Sequence, residues 1–234
     1  MQVSAVQFKP RRGQKAAALQ ALGALVDQAA PGADLVVLPE MAAIGYLFRT
    51  PAAARAVAEA PEGPTFQALA PLAKAHRAWL VAGFAEDAGP RLYNSALVID
   101  PDGAVAGVYR KTLLFPPDYW WAEPGDSGYL AFDTDAGRFG VGICMDLNDD
   151  RFVTWARSAR LDALAFPTNW VQEDGDVWGY WRARLHGVDG ALVAANTYGP
   201  EGPIAFRGLS AILRRGEVLA SAPATGDAVI RAAL

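Results

Sequence analysis

The sequence predicts an α/β fold, a four-layer α-β-β-α sandwich of two mixed sheets, and three observations lead there. Strand-like and helix-like patterns alternate along all 234 residues. Strands such as Leu35-Val36-Val37-Leu38 and Ala163-Leu164-Ala165-Phe166 are apolar on both faces, so each face must be covered by another layer. Compact turn signals join several neighbouring strands as antiparallel hairpins. No low-complexity segment and no Pro- or Gly-rich linker separates halves, so residues 1–234 read as one domain.

Each element has a local reason. Residues 2–8 alternate as a strand, and 13–30 form a helix rich in Ala, Leu and Gln that stops at Pro31-Gly32. A buried strand follows at 34–39. Residues 64–77 make a helix with Pro64 in its first turn, where the missing N–H costs nothing. Strands at 78–85 and 92–99 come next, and Pro101-Asp102-Gly103 turns the chain into a strand at 104–110. Residues 128–133 and 138–143 pair across Asp135-Ala136-Gly137. A helix near 150–159, a strand at 162–166, a helix near 176–189, a strand at 191–195 and a hairpin turning at Arg215-Gly216 complete the series.

Composition narrows the function. The net charge is −4 and no basic stretch is longer than a pair such as Arg11-Arg12, which argues against nucleic acid. The first ten residues alternate like a strand and lack the apolar segment of a signal peptide, and no stretch approaches the roughly 18 apolar residues of a spanning helix. A cytoplasmic protein without a membrane partner is expected. Cys144 is the only cysteine, which excludes an internal disulfide and any multi-cysteine metal site.

That cysteine ends the apolar run Phe139 to Ile143. Two other strands end on chemistry in the same way: Leu35 to Pro39 delivers Glu40, and Ala104 to Arg110 delivers Lys111. The segments Asp34 to Glu40 and Asp162 to Asn169 echo each other, each an Asp, a buried strand, a proline and a polar group. Proline lacks an N–H and stops the ladder, turning the next side chain toward the sheet edge.

Leu38-Pro39-Glu40, Tyr109-Arg110-Lys111-Thr112 and Gly142-Ile143-Cys144-Met145-Asp146, in this order, resemble the nitrilase superfamily, carbon-nitrogen hydrolases with a Glu-Lys-Cys triad. Pro124-Gly125-Asp126, Pro167-Thr168-Asn169-Trp170, Ala195-Asn196 and Phe206-Arg207-Gly208-Leu209-Ser210 extend the likeness over residues 1 to about 231. The resemblance implies the same four-layer sandwich, a homodimer or higher homo-oligomer joined through the helical layer beside the nucleophile, and no metal or organic cofactor. It implies hydrolysis of a small-molecule amide through a thioester on Cys144, with Glu40 as general base and Lys111 with the Met145 N–H as oxyanion donors. It also implies a fourth group six residues ahead of Pro124, where the family's usual glutamate is here Asp118, one methylene shorter.

The residues make chemical sense of those roles. A thiol titrates at about 8.5 and burial raises it further, so Cys144 needs both a base and a cation. Tyr46, Met145, Asn169 and Trp170 are candidate substrate contacts, against the plainer readings of packing for Tyr46 and Trp170 and capping for Asn169. Trp120 and Trp121 read as core or interface aromatics, and Asp146 as a holder of the nucleophile turn. Arg182 and Arg184 could meet a substrate carboxylate, or simply line a solvated helix face. The rival classes are a Cys-His hydrolase, which would need His76 or His186, and a non-catalytic binding module. Met145-Asp146 stands where nitrilases proper carry Trp-Glu, which favours amides over nitriles. N-carbamoyl amines and protein N-terminal Asn or Gln remain alternative substrates.

Overall fold

The computed structural model describes residues 1–234. Its first sheet contains β1 (Gln2–Gln7), β2 (Leu35–Val37), β3 (Trp79–Ala88), β4 (Arg91–Ile99), β5 (Val105–Arg110) and β14 (Ala228–Ala233), in the order β14-β1-β2-β3-β4-β5. The second contains β6 (Leu130–Thr134), β7 (Gly137–Val141), β8 (Ala163–Thr168), β9 (Ala191–Asn196), β12 (Ala211–Arg214) and β13 (Glu217–Ser221), in the order β13-β12-β9-β8-β7-β6. In each sheet three central strands run parallel, β1-β2-β3 and β7-β8-β9, with antiparallel strands on the flanks.

Side-chain alternation along the central strands separates the layers. Leu35 and Val37 of β2, with Ala163 and Ala165 of β8, fill the space between the sheets. Val36 and Leu38 face the opposite way, toward Leu22, Val26 and Ala29 of α1 (Lys15–Ala29) and Leu69 of α3 (Pro64–His76). Leu164 and Phe166 do the same on the second sheet, packing with Phe152, Val153 and Ala156 of α4 (Asp150–Ser158) and Trp181 of α5 (Val177–Arg184). The buried positions of α1, Ala18, Leu22, Val26 and Ala29, recur at the spacing of one helix face. No helix is long and apolar enough to cross a membrane.

The expected sandwich is present, with four local differences. The helix expected to reach residue 189 ends at Arg184, because the chain turns at Leu185 to Val188 with Gly187 at φ 84°. A short helix α2 (Pro51–Arg55) is capped by Thr50, whose hydroxyl accepts the Ala53 N–H. The hairpin of β10 (Tyr198–Glu201) and β11 (Ile204–Arg207) lies in a segment whose Gly199, Pro200 and Gly202 blur strand periodicity. The final strand β14 pairs along the whole of β1, closing the open edge that strand would otherwise present.

The turn after β2 depends on a missing side chain. The chain from Pro39 to Ala42 lies against Gly83 of β3, whose N–H donates to Pro39 O at 3.0 Å and whose carbonyl accepts Ala42 N–H at 3.0 Å. A Cβ on Gly83 would stand 2.4 Å from Glu40 Cα and 2.6 Å from Pro39 O, both backbone atoms that cannot swing away. Gly83→Ala should therefore lower unfolding stability by about 1–3 kcal/mol or more in urea melts. Gly23→Ala, where the added methyl would meet only Leu72 Cδ1 at 3.6 Å, should instead be neutral or stabilise α1 by about 0.5–1 kcal/mol.

Candidate active site

Glu40, Lys111 and Cys144 come from distant parts of the chain and are buried together. Lys111 follows β5, and its backbone is gripped on both sides. Its N–H donates to Asn94 O at 2.8 Å, and its carbonyl accepts the Gly125 N–H at 2.8 Å. A Cβ on Gly125 would come within 2.2 Å of Arg110 O, so the Pro124-Gly125-Asp126 element needs glycine to approach this closely. Asp126 then binds Arg110 Nη1 at 2.9 Å.

The Lys111 side chain carries a full charge with no solvent around it. Its Nζ donates to Glu40 Oε1 at 2.7 Å, to Asp118 Oδ2 at 2.8 Å and to Tyr46 OH at 3.3 Å. Asp118 reaches Lys111 because a 3-10 turn over Pro116–Trp120 brings its backbone in, with Phe115 N–H donating back to Oδ2 at 3.1 Å. That turn makes up for the absent methylene. Glu123, the other acid of this stretch, is half-exposed beside Arg91.

Two carboxylates share one ammonium, and the titration directions follow from that. Burial would strip the Lys111 proton, but the charges of Asp118 and Glu40 outweigh it and hold the ammonium more firmly than in water. Glu40 is pushed up by burial; the Lys111 charge opposes this and the Asp118 charge adds to it. Burial likewise pushes the Cys144 thiol up, reinforced by Glu40 and opposed by Lys111, the Thr168 hydroxyl and the Asn169 N–H. At rest the sulfur keeps its proton.

Cys144 opens a 3-10 turn over Cys144–Asn148 with φ 43°, a left-handed value that a side chain adopts at a cost. Asp146 holds that turn in place. Its Oδ2 accepts Ile143 N–H at 2.9 Å and Tyr109 O–H at 2.8 Å, while Oδ1 accepts Thr112 N–H, Thr112 O–H and Leu113 N–H. One buried carboxylate therefore ties the cysteine turn of the second sheet to the segment following Lys111 in the first. A second tie runs between the echoing strands, where Asn169 N–H donates to Glu40 Oε2 at 2.8 Å.

Over Cys144 lies a cavity of about 60 Å³ lined by Phe115, Met145, Asn148, Asn169, Trp170, Val171 and Glu173. It is sized for a small group, and it shares Asn148, Trp170 and Glu173 with an outer cavity of about 400 Å³. Met145, Asn169 and Trp170 thus line the inner space. Tyr46 is not among the residues that line it; its hydroxyl accepts from Lys111 Nζ at 3.3 Å and its ring is edge-on to Phe206. Trp121 is core, packed on Phe48, whereas Trp120 is 51% exposed. His76 pairs with Asp27 at 2.8 Å and His186 lies in the turn after α5, so neither joins the cluster. Arg184 is structural, donating to Leu147 O and Asp150, and Arg182 donates to Gly216 O.

Asn94 and Thr168 were not singled out from the sequence. Asn94 donates to Glu40 Oε1 at 2.7 Å, and its signal was position alone, opposite Ala85 in the β3-β4 ladder two strands from Glu40. Four of the seven buried side-chain polar atoms without a partner, on Asn94, Asp118, Thr168 and Asn169, belong to this one cluster. Such concentration marks a site built for a ligand more than for stability. No group of three or more His, Cys, Asp or Glu is arranged to hold a metal ion.

Two facing six-stranded mixed sheets with a cysteine at a strand end define the fold of the nitrilase superfamily. Among solved structures, the NitN amidase of Nesterenkonia sp. AN1 shares it with a TM-score of 0.87, at 22% identity, over 100% of this chain and 92% of that one. The model of the carbon-nitrogen hydrolase family matches residues 2–234, and the chain belongs to that family. A nitrilase of Pyrococcus abyssi is 38% identical over 203 residues, covering 85% of this chain and 75% of its own. An N-carbamoylputrescine amidase of Solanum lycopersicum is 34% identical over 194 residues, covering 73% of this chain and 64% of its own.

Removing the ammonium should expose the electrostatics directly. Lys111→Met leaves two buried carboxylates facing each other and should cost about 3–5 kcal/mol at neutral pH. Those carboxyls would then favour protonation in the folded state, so the deficit against wild type should shrink as pH falls through the carboxylate range. Chemical denaturation at several pH values measures both.

Proposed function

We propose that the chain is an amidase that cleaves a linear small-molecule amide to a carboxylic acid and ammonia or an amine. The buried contact of Lys111 with both Glu40 and Asp118, beneath the Cys144 cavity, carries this reading. Glu40 takes the Cys144 proton as the sulfur attacks the carbonyl carbon. Lys111 and the Met145 N–H, the first amide after the nucleophile, meet the developing oxyanion. The tetrahedral intermediate collapses, the C–N bond breaks, and Glu40 gives its proton to the leaving nitrogen, leaving a thioester. Glu40 next draws a proton from water, the hydroxide adds to the thioester carbon, and the departing sulfur is reprotonated.

Lys111 is charged throughout and moves no proton in this scheme. Asp118 keeps it charged and aimed, and Asp146 sets the angle of the nucleophile. Residues 1–234 act as one carbon-nitrogen hydrolase domain, supported by the family match over nearly the whole chain. The layer of α4 and α5, with Tyr180 exposed on α5, is the face for a homodimer. A reducing compartment, the cytoplasm, suits an enzyme whose single thiol must stay reduced. The inner cavity favours a short acyl or carbamoyl group, and the similarity to an N-carbamoylputrescine amidase supports N-carbamoyl amines as the second reading.

The test is an ammonia-release screen over short amides, N-carbamoyl amines, nitriles and Asn- or Gln-started peptides. Release by wild type and none by Cys144→Ala is expected, while release surviving in Cys144→Ala would sink the thioester route. Glu40→Gln should lower kcat/KM by about 10²- to 10⁴-fold. Because burial and Asp118 raise Glu40, activity should fall on acidification at a pH above 4.5, the ordinary carboxylate value, as Glu40 gains its proton. No loss should appear on the alkaline side within the ordinary lysine range, since Lys111 holds its proton beyond it. A pH profile of kcat/KM checks both limbs.

A further inference from the structure

Asn94 touches every charged member of the cluster. Its backbone carbonyl accepts Lys111 N–H at 2.8 Å, and its Nδ2 donates to Glu40 Oε1 at 2.7 Å and to Asp118 Oδ2 at 3.5 Å. It is fully buried in the middle of β4, so no water competes for these bonds.

The consequence lies in how the two oxygens of Glu40 are used. A carboxylate oxygen offers about two acceptor sites. Oε1 receives Lys111 at 2.7 Å and Asn94 at 2.7 Å, which fills both; Oε2 receives only Asn169 N–H, at 2.8 Å, and retains one. We infer that Asn94 is a positioning residue that fixes the Glu40 carboxylate so that Oε2, and not Oε1, takes the proton of Cys144. Without Asn94, Oε1 would keep a vacant site beside Lys111, the carboxylate could rotate about its terminal bond, and both oxygens would compete for the thiol proton. The Asn94 bond also favours the ionised form of Glu40, the form that acts as base.

This assignment rests on the amidase reading, and the experiment separates the two. Asn94→Leu, close to isosteric, removes the donor and leaves the strand its size. Expected is a kcat loss of about 10- to 100-fold with KM little changed, and an acid limb of kcat/KM moved up by about one pH unit, because a bond to a charged group is lost. Alkylation of Cys144 by iodoacetamide, which needs no turnover, should slow and show the same displacement. Asn94→Ser, measured alongside, should move both limbs in the same direction and stands in should the leucine variant not fold. An acid limb and alkylation profile coincident with wild type, with activity reduced only in step with thermal stability, would overturn the positioning role and leave the hydrolase intact. Activity persisting in Cys144→Ala would sink the thioester route on which the assignment rests, and no release by wild type from any amide would overturn the amidase reading itself.

Discussion

The structure turns on one charge that cannot leave. Lys111 is buried without water, and an ammonium in that setting is tolerable only while carboxylates lie against it. Glu40 and Asp118 do so at 2.7 and 2.8 Å, and each depends on the lysine in return. Burial makes a proton on Glu40 easier to hold than in water, with the Lys111 charge opposing and the Asp118 charge adding to it, which fits the two-way proton transfer proposed for that residue. Burial, reinforced by the Glu40 charge, also works against ionising the nearby thiol, so in the proposed reaction the sulfur can attack only as its proton leaves. Restraint at rest and reactivity on demand share one electrostatic origin.

Holding such a cluster is a task for the backbone. Gly83 lets the Glu40 turn lie directly on β3, and Gly125 lets the Pro-Gly-Asp element close on the Lys111 carbonyl. Asp146 spends its hydrogen-bonding capacity on five donors, most of them at the two loops that must meet. None of these three belongs to the Glu40-Lys111-Cys144 set. Each instead removes a degree of freedom from a residue at the centre, which is how alignment is obtained before any substrate arrives.

Much of this was legible beforehand, for identifiable reasons. Strands buried on both faces announce themselves by continuous apolar runs, and Leu35–Leu38 and Ala163–Phe166 gave away the layered architecture. Proline after the run Leu35–Leu38 marks where the chain leaves the first sheet before Glu40. By contrast β8 stays paired through Pro167 and Thr168, so there the proline did not stop the ladder, and Asn169 meets Glu40 from just beyond the strand end. Asn94 was hidden because an asparagine within a strand has no pattern of its own; only the register with β3 and β5 gives it neighbours. Tyr46 was named a candidate by its distance from Glu40 along the chain, and it lies buried against the Lys111 ammonium. The β10-β11 hairpin escaped because Gly199, Pro200 and Gly202 blur its periodicity, and β14 because its partner β1 lies far away along the chain, which local periodicity does not register.

The bond from Asn169 to Glu40 joins residues 129 positions apart and ties a turn of the first sheet to the end of a strand in the second. A chain emerging from the ribosome therefore makes its acid and its lysine long before it makes the sulfur, and the sulfur before the strand that completes the pocket. Until that strand docks, Lys111 and Asn94 can hold Oε1 of Glu40, but Oε2 lacks the Asn169 N–H. The full set of donors around the Glu40 carboxylate is therefore complete only once the chain has been made past β8, a consequence of placing Asn169 downstream of the cysteine.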